Sequence, residues 1–296
     1  MGDGRLTKHP YRPAMNDLSR LGLAVTLPEL RQAAGWLKDG ARDVELQDIC
    51  EVPALLDGDW REVARQSREL LEGHTGRIGV HAPFWNLSLA SLDPEIRRVV
   101  QSRYLLGLDY AEAVGGTHLV IHSPFYFFGH ALVAHRDTLE QEIELTHLTL
   151  RPVLERAEQL GCTLVIENIL DTNPEPLLAL VTSFDSPFVR LSIDVGHAHL
   201  MAARGGPQAS HWLHAADQWL GHVHLQDNDA ASDAHLAPGE GTVHWPSILR
   251  ALRAGITDPR LIVEVRPSEL ERAMAWVDGV STGLDVHSDE LRVHTT

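Results

Sequence analysis

The sequence predicts a single α/β domain, a (β/α)8 barrel with a metal site at the C-terminal ends of its strands. Three observations predict it. Eight short apolar runs are bounded by turn signals, helix-length segments separate most of them, and in each of the last six a histidine or a carboxylate terminates the strand. At 296 residues and 44% hydrophobic content, the chain can bury one sizeable core.

The runs, in order, are RLGLAV (20–25), DVELQDI (43–49), RIGVHAPF (77–84), HLVIHSPF (118–125), TLVIEN (163–168), VRLSIDVGH (189–197), HVHLQDN (222–228) and LIVEVRP (261–267). Between them, 94–114 reads as a helix: Asp93 caps it, Pro94 suits its first turn, apolar residues recur at Ile96, Val99, Val100 and Ala111, and Gly115–Gly116 ends it. The segment 138–160 behaves similarly and stops at Gly161, with Pro152 expected to kink or restart it. An open doubly wound sheet is the rival architecture. It would normally carry a glycine-rich phosphate turn after its first strand, where this chain has VTLPEL. The barrel is therefore placed at 17–280, with an N-terminal extension at 1–16 and a C-terminal tail at 281–296.

Composition narrows the function classes. The formal charge of −16, from 41 acidic against 25 basic residues, argues against nonspecific binding to nucleic acid or anionic membranes. No apolar run is long enough to span a bilayer and no signal-like segment opens the chain, so a cytoplasmic location is expected. Two cysteines, Cys50 and Cys162, form neither a disulfide framework nor a CxxC spacing, so a bound metal must use nitrogen and oxygen ligands.

The strand ends carry those ligands: His81, His122, Glu167, Asp194, His224 and Glu264. Histidine, Asp and Glu make up about a fifth of the chain, so six such residues in six positions is a chance event on the order of one in ten thousand. A lone strand-end His or Asp is most simply a helix cap or loop anchor. Capping does not explain six of them on one rim, where barrel strands converge. Two local spacings add His197, three residues after Asp194, and the pair Asp233 and His235 in the loop after the seventh run. Nine N/O donors exceed the needs of one tetrahedral ion and suit a cluster of Zn²⁺, Mn²⁺ or Fe²⁺ with bridging carboxylates. His222, deeper on the same strand face as His224, reads as a partner to a ligand; His130, His135, His147 and His214 read as exposed. Trp85 and Trp245 could stack on a sugar or base, and Arg266 could pair with a phosphate or carboxylate or orient Glu264.

These residues resemble the xylose isomerase-like TIM barrels, which include sugar phosphate isomerases and epimerases and the endonuclease IV-type apurinic-site endonucleases. The resemblance covers about residues 20 to 280 and rests on HAPFWNLSLAS (81–91), VIEN (165–168), SIDVGHA (192–198), HVHLQDND (222–229), DAHLAPGEGTVHW (233–245) and VEVRP (263–267). The isomerase pattern implies one metal on Glu167, Asp194, His224 and Glu264, with the catalytic glutamates Glu167 and Glu264 doubling as acid/base groups. The endonuclease pattern implies three metals. Glu167 bridges, His81 and His122 hold one ion, Asp194, His224 and Glu264 a second, and His197, Asp233 and His235 a third.

The isomerases commonly carry another acidic residue shortly after the first glutamate, where ENILDTNPE offers Asp171 or Glu175. The loops after the first two strands are neutral to acidic, which disfavours DNA as the substrate. The leading expectation is a metal-dependent isomerase or epimerase holding one to three Zn²⁺ or Mn²⁺ and acting on a small carbohydrate or phosphorylated substrate. A multinuclear phosphoester hydrolase is the alternative, and a barrel that binds a metabolite without turnover is a third. The sequence leaves a homo-oligomer open.

Overall fold

The computed structural model describes residues 18–126 and 136–281. Within them, eight parallel strands close into a barrel in chain order. They are β1 (Gly22–Val25), β2 (Val44–Leu46), β3 (Ile78–His81), β4 (His118–His122), β5 (Thr163–Glu167), β6 (Val189–Asp194), β7 (Leu220–Leu225) and β8 (Arg260–Val263). Every predicted run contributes one strand, and β8 pairs with β1 to shut the sheet. The strands are buried along nearly their whole length because helices cover the outside while side chains fill the inside. The extension 1–16 and all of the tail 281–296 but its first residue, with His130 and His135, lie outside the described residues. Among the described residues, no helix is long and apolar enough to cross a membrane.

Local chemistry sets the helices that surround the sheet. Pro94–Val114 begins where the Asp93 carboxylate accepts the Glu95 N–H at 2.8 Å, and it ends at Gly115, whose φ of 79° lies in the left-handed region that glycine adopts without strain. The expected restart at Pro152 does not occur. The helix Arg136–Leu160 runs through Pro152 without interruption. Proline has no N–H for the carbonyl of Leu148 four residues back, but the Gln101 amide of the neighbouring helix donates to that oxygen at 3.1 Å. A side chain splints the gap that sequence rules read as a break.

Inside the barrel, side chains alternate in and out, so residues two apart on a strand share a face. Gly79, paired with Glu45 in the register of β2 and β3, lies on the interior face. A methyl group there would overlap the His118 ring. The glycine is the space that lets an imidazole lie inside the barrel. Gly79→Ala should therefore destabilise the fold by about 1–3 kcal/mol, read as a lowered midpoint in chemical denaturation. An unchanged midpoint would mean that the ring does not occupy this space.

Candidate metal centre

Four of the donors end strands as the sequence requires: His81 closes β3, His122 β4, Glu167 β5 and Asp194 β6. His224 is the penultimate residue of β7, and Glu264 directly follows β8. The register sets His122 beside Glu167 and Asp194 beside His224. All nine predicted donors come together, in three groups whose ligand atoms lie within 4.8 Å of one another: His81, His122 and Glu167; Glu167, Asp194, His224 and Glu264; His197, Asp233 and His235.

The first group surrounds one oxygen. Glu167 Oε2 lies 3.5 Å from His81 Nε2 and 3.8 Å from His122 Nε2, and those two nitrogens are 3.3 Å apart. His81 Nδ1 donates to the Ala82 carbonyl at 2.8 Å, so its Nε2 is left as the atom facing the carboxylate. Phe84 stacks on the His122 ring at 4.2 Å, and Trp85 beyond it is 64% exposed.

The second group is the most deeply buried. His224 Nδ1 lies 3.0 Å from Glu167 Oε1 and 3.5 Å from Glu264 Oε2. The Gln47 amide donates to the other oxygen of Glu264. Asp194 is both a cap and a donor. One oxygen accepts the His197 N–H at 2.6 Å, opening the helix Val195–Ala202, while Oδ2 is buried with no partner. Glu167 Oε2 is likewise buried without a hydrogen-bond donor. Both unpartnered oxygens belong to groups of side chains that could hold a metal ion.

The third group sits at the solvent end, where the side chains of Asp233 and His235 are 42% and 26% exposed. Asp233 Oδ2 is 3.2 Å from both His197 Nε2 and His235 Nε2, and Gln226 donates to its other oxygen at 2.8 Å. His197 Nδ1 is spent on the Asn168 carbonyl at 3.0 Å. A buried carboxylate, Asp227, shapes the loop that carries Asp233 and His235. It accepts the N–H groups of Asn228, Val243 and Gly239 and the Trp245 indole N–H at 2.8–3.0 Å. Trp245 is thus an anchor, 5% exposed and packed against Trp276. It does not stand on the rim as a stacking surface. Arg266 is exposed, and its backbone N–H ties His235 in place at 3.1 Å.

The remaining predicted residues separate cleanly. Asp171 is buried and accepts from Ser123 Oγ at 2.7 Å and Ile169 N at 2.9 Å, while burial pushes its carboxyl up to about 6. Glu175 is exposed at the start of its helix. His214 is exposed as expected, but His147 is half-buried, bonded to Ser183 Oγ at 2.7 Å and stacked on Phe184. Sequence reasoning missed Glu45, His118, Gln47 and Gln226. Their signal was parity: Glu45 and Gln47 share a strand face, as do His118 and His122, and all four residues sit on runs that point into the barrel.

Charge is the problem this site must solve. Burial would raise Glu167, but His224, His81 and His122 hold its carboxyl well below the usual range. Burial would lower His197 and His224, yet the carboxylates around them, Asp194 beside His197 and Glu264 beside His224, hold both well above an ordinary imidazole. Burial likewise works against charging His235, but Asp233 and Glu264 raise it to about 9. His197, His224 and His235 thus carry protons that balance the carboxylates, whereas burial holds His122 well below an ordinary imidazole. A divalent ion has to displace those protons. Apparent affinity should rise with pH through the neutral range, by up to about tenfold per pH unit for each proton displaced, and the contribution of His235 should level off above about 9. Calorimetric zinc titrations near neutral pH, in two buffers of different ionisation enthalpy, should show net proton release.

Comparison with known proteins fits this architecture. A family model described as xylose isomerase-like TIM barrel matches residues 38–283. An uncharacterised protein of Methanocaldococcus jannaschii, MJ1311, is 27% identical over 192 residues, 62% of this chain and 63% of that protein, so the match spans less than two thirds of the relative. The TTHB071 protein from Thermus thermophilus, in a structure soaked with ZnCl2, is 28% identical at a TM-score of 0.68, covering 89% of this chain and 98% of that one. A D-tagatose 3-epimerase-like protein shares the fold at 20% identity and a TM-score of 0.70, covering 89% and 98%.

Proposed function

The chain belongs to the xylose isomerase-like TIM-barrel family, and from that premise we propose that it is an enzyme that holds up to three divalent cations and hydrolyses a phosphoester in a small phosphorylated substrate. The observation that carries the reading is the third donor group. His197, Asp233 and His235 converge beside the four residues that a single ion needs, and a one-metal isomerase has no use for them as ligands.

The fit rests on the orphaned oxygens of Glu167 and Asp194 and on a donor set without sulfur. His81, His122 and Glu167 would hold one ion; Glu167, Asp194, His224 and Glu264 a second; His197, Asp233 and His235 a third. Bound there, divalent ions supply Lewis-acid stabilisation of the charge that builds on phosphoryl oxygens. The chain's own groups do the rest. The backbone carbonyls of Ala82 and Asn168 fix the tautomers of His81 and His197. Gln47 and Gln226 fix the carboxylates of Glu264 and Asp233. Trp85 offers an exposed face to an apolar or ring portion of the substrate, and Arg266 a cation to an anionic one. Zinc is the first ion to try, because the Thermus relative was soaked with it.

A second reading, isomerase or epimerase, is favoured by one feature. Glu167 and Glu264 flank His224 Nδ1 at 3.0 and 3.5 Å, so two carboxylates are already paired across one ion position for proton transfer. Barrels named as sugar epimerases share this fold.

Metal content per chain, measured by elemental mass spectrometry on protein purified without chelator, separates the readings. About three equivalents, falling by about one in His235→Ala, with turnover of chromogenic phosphodiesters, supports the hydrolase. About one equivalent, unchanged in His235→Ala, with solvent deuterium entering a ketose or aldose, supports the isomerase. Abasic duplex DNA belongs in the same panel, and the acidic chain is expected to leave it intact.

A further inference from the structure

Beneath the rim, inside the barrel, a carboxylate outside all three donor groups above meets three imidazoles. Glu45 on β2 is fully buried. Its Oε1 lies 2.9 Å from His224 Nε2, and its Oε2 lies 3.1 Å from both His118 Nε2 and His222 Nε2. His118, His222 and His224 are themselves 0% exposed, so these contacts are shielded from bulk solvent.

We propose that Glu45 is a positioning residue that fixes His224 as an Nδ1 ligand, by holding the proton on Nε2 and aiming the opposite nitrogen at the cation. The proposal rests on the metal reading above. An ionised carboxylate only accepts hydrogen bonds, so a nitrogen placed 2.9 Å from it carries the hydrogen. Of the two protons that His224 can hold, the one on Nε2 is therefore kept by Glu45. The one on Nδ1 faces Glu167 and Glu264 and is the one a cation replaces. The same logic runs through the neighbours. Ser192 Oγ lies 2.8 Å from His222 Nδ1 and can donate to it, while His222 Nε2 lies 3.1 Å from Glu45 Oε2 without the alignment of a hydrogen bond. His118 Nδ1 has no partner, and its Nε2 turns to Glu45. Two rings, His224 and His118, thus direct one N–H each at a single carboxylate, and His222 lies in ionic contact with it.

A glutamine at this position keeps the shape and loses the function. It has one acceptor oxygen, and its NH₂ would face an imidazole N–H. In Glu45→Gln at least one ring must flip or change tautomer. Carboxylates that orient metal-bound histidines through the distal nitrogen characteristically change affinity by about 10- to 100-fold when removed.

The test uses the full chain loaded with zinc and labelled with ¹⁵N at histidine. Long-range ¹H–¹⁵N correlation spectra, with His224 assigned by its absence in His224→Gln, should show His224 protonated at Nε2 in the wild type. Chelator competition should show zinc held about 10- to 100-fold more weakly by Glu45→Gln at one equivalent, the others being unaffected. A wild-type His224 protonated at Nδ1 overturns the proposal, even if the variant does not fold. So does equal zinc affinity in wild type and Glu45→Gln. An additional equivalent lost in His118→Gln would mean that Glu45, His118 and His222 bind an ion themselves, and that also overturns it. If the wild type takes up no zinc, manganese or iron, the metal reading fails and this proposal with it, an outcome distinct from metal uptake that ignores Glu45.

Discussion

The carboxylate of Glu167 is 1% exposed, and imidazoles crowd both of its oxygens. Much of the rim can be understood as the consequence of placing that charge where water does not reach. A lone carboxylate there would take up a proton, since leaving it ionised in a low-dielectric interior costs several kcal/mol. Surrounding it with histidines from β3, β4 and β7 keeps it ionised, but those rings then need oxygens of their own. Glu264 supplies one to His224, and Asp194 and Asp233 do the same for His197 beside it. The site is a lattice of opposite charges in which each member is tolerable only because its neighbours are present, so single substitutions here should be read as changes to the whole set.

Asp194 shows why local and functional interpretations need not compete. One oxygen ends a strand and starts a helix, a task any capping Asp performs, and the other is left facing the donors. Fold and site share the residue, which gives the helix Val195–Ala202 its position and thereby places His197, one turn in, against Asn168 and Asp233.

The rim was legible in the sequence because a parallel barrel turns linear information into position. An apolar run gives a strand, its last residue lies on the C-terminal face, and residues as far apart as His81 and Glu264 are thereby brought together. The interior was less legible. Glu45 and His118 look like interruptions of apolar runs until the strand order shows that β2, β4 and β7 direct them at one another. The helix does not restart at Pro152, and the amide that takes up the freed carbonyl comes from Gln101 on a different helix, which a local rule does not see. Trp245 misled because an aromatic residue beside a polar loop suggests a ligand platform, and only the position of Asp227 reveals an anchor.

The loop closed by Asp227 has a further meaning. Seven of the nine donors belong to strand ends or to the helix capped by Asp194, but Asp233 and His235 ride on a segment whose own hydrogen bonds hold its shape. That segment is a cassette. Exchanging it changes how many donor groups the rim presents while the sheet beneath stays as it is. The strands can thus carry the fold while this short stretch of chain carries part of the rim's character.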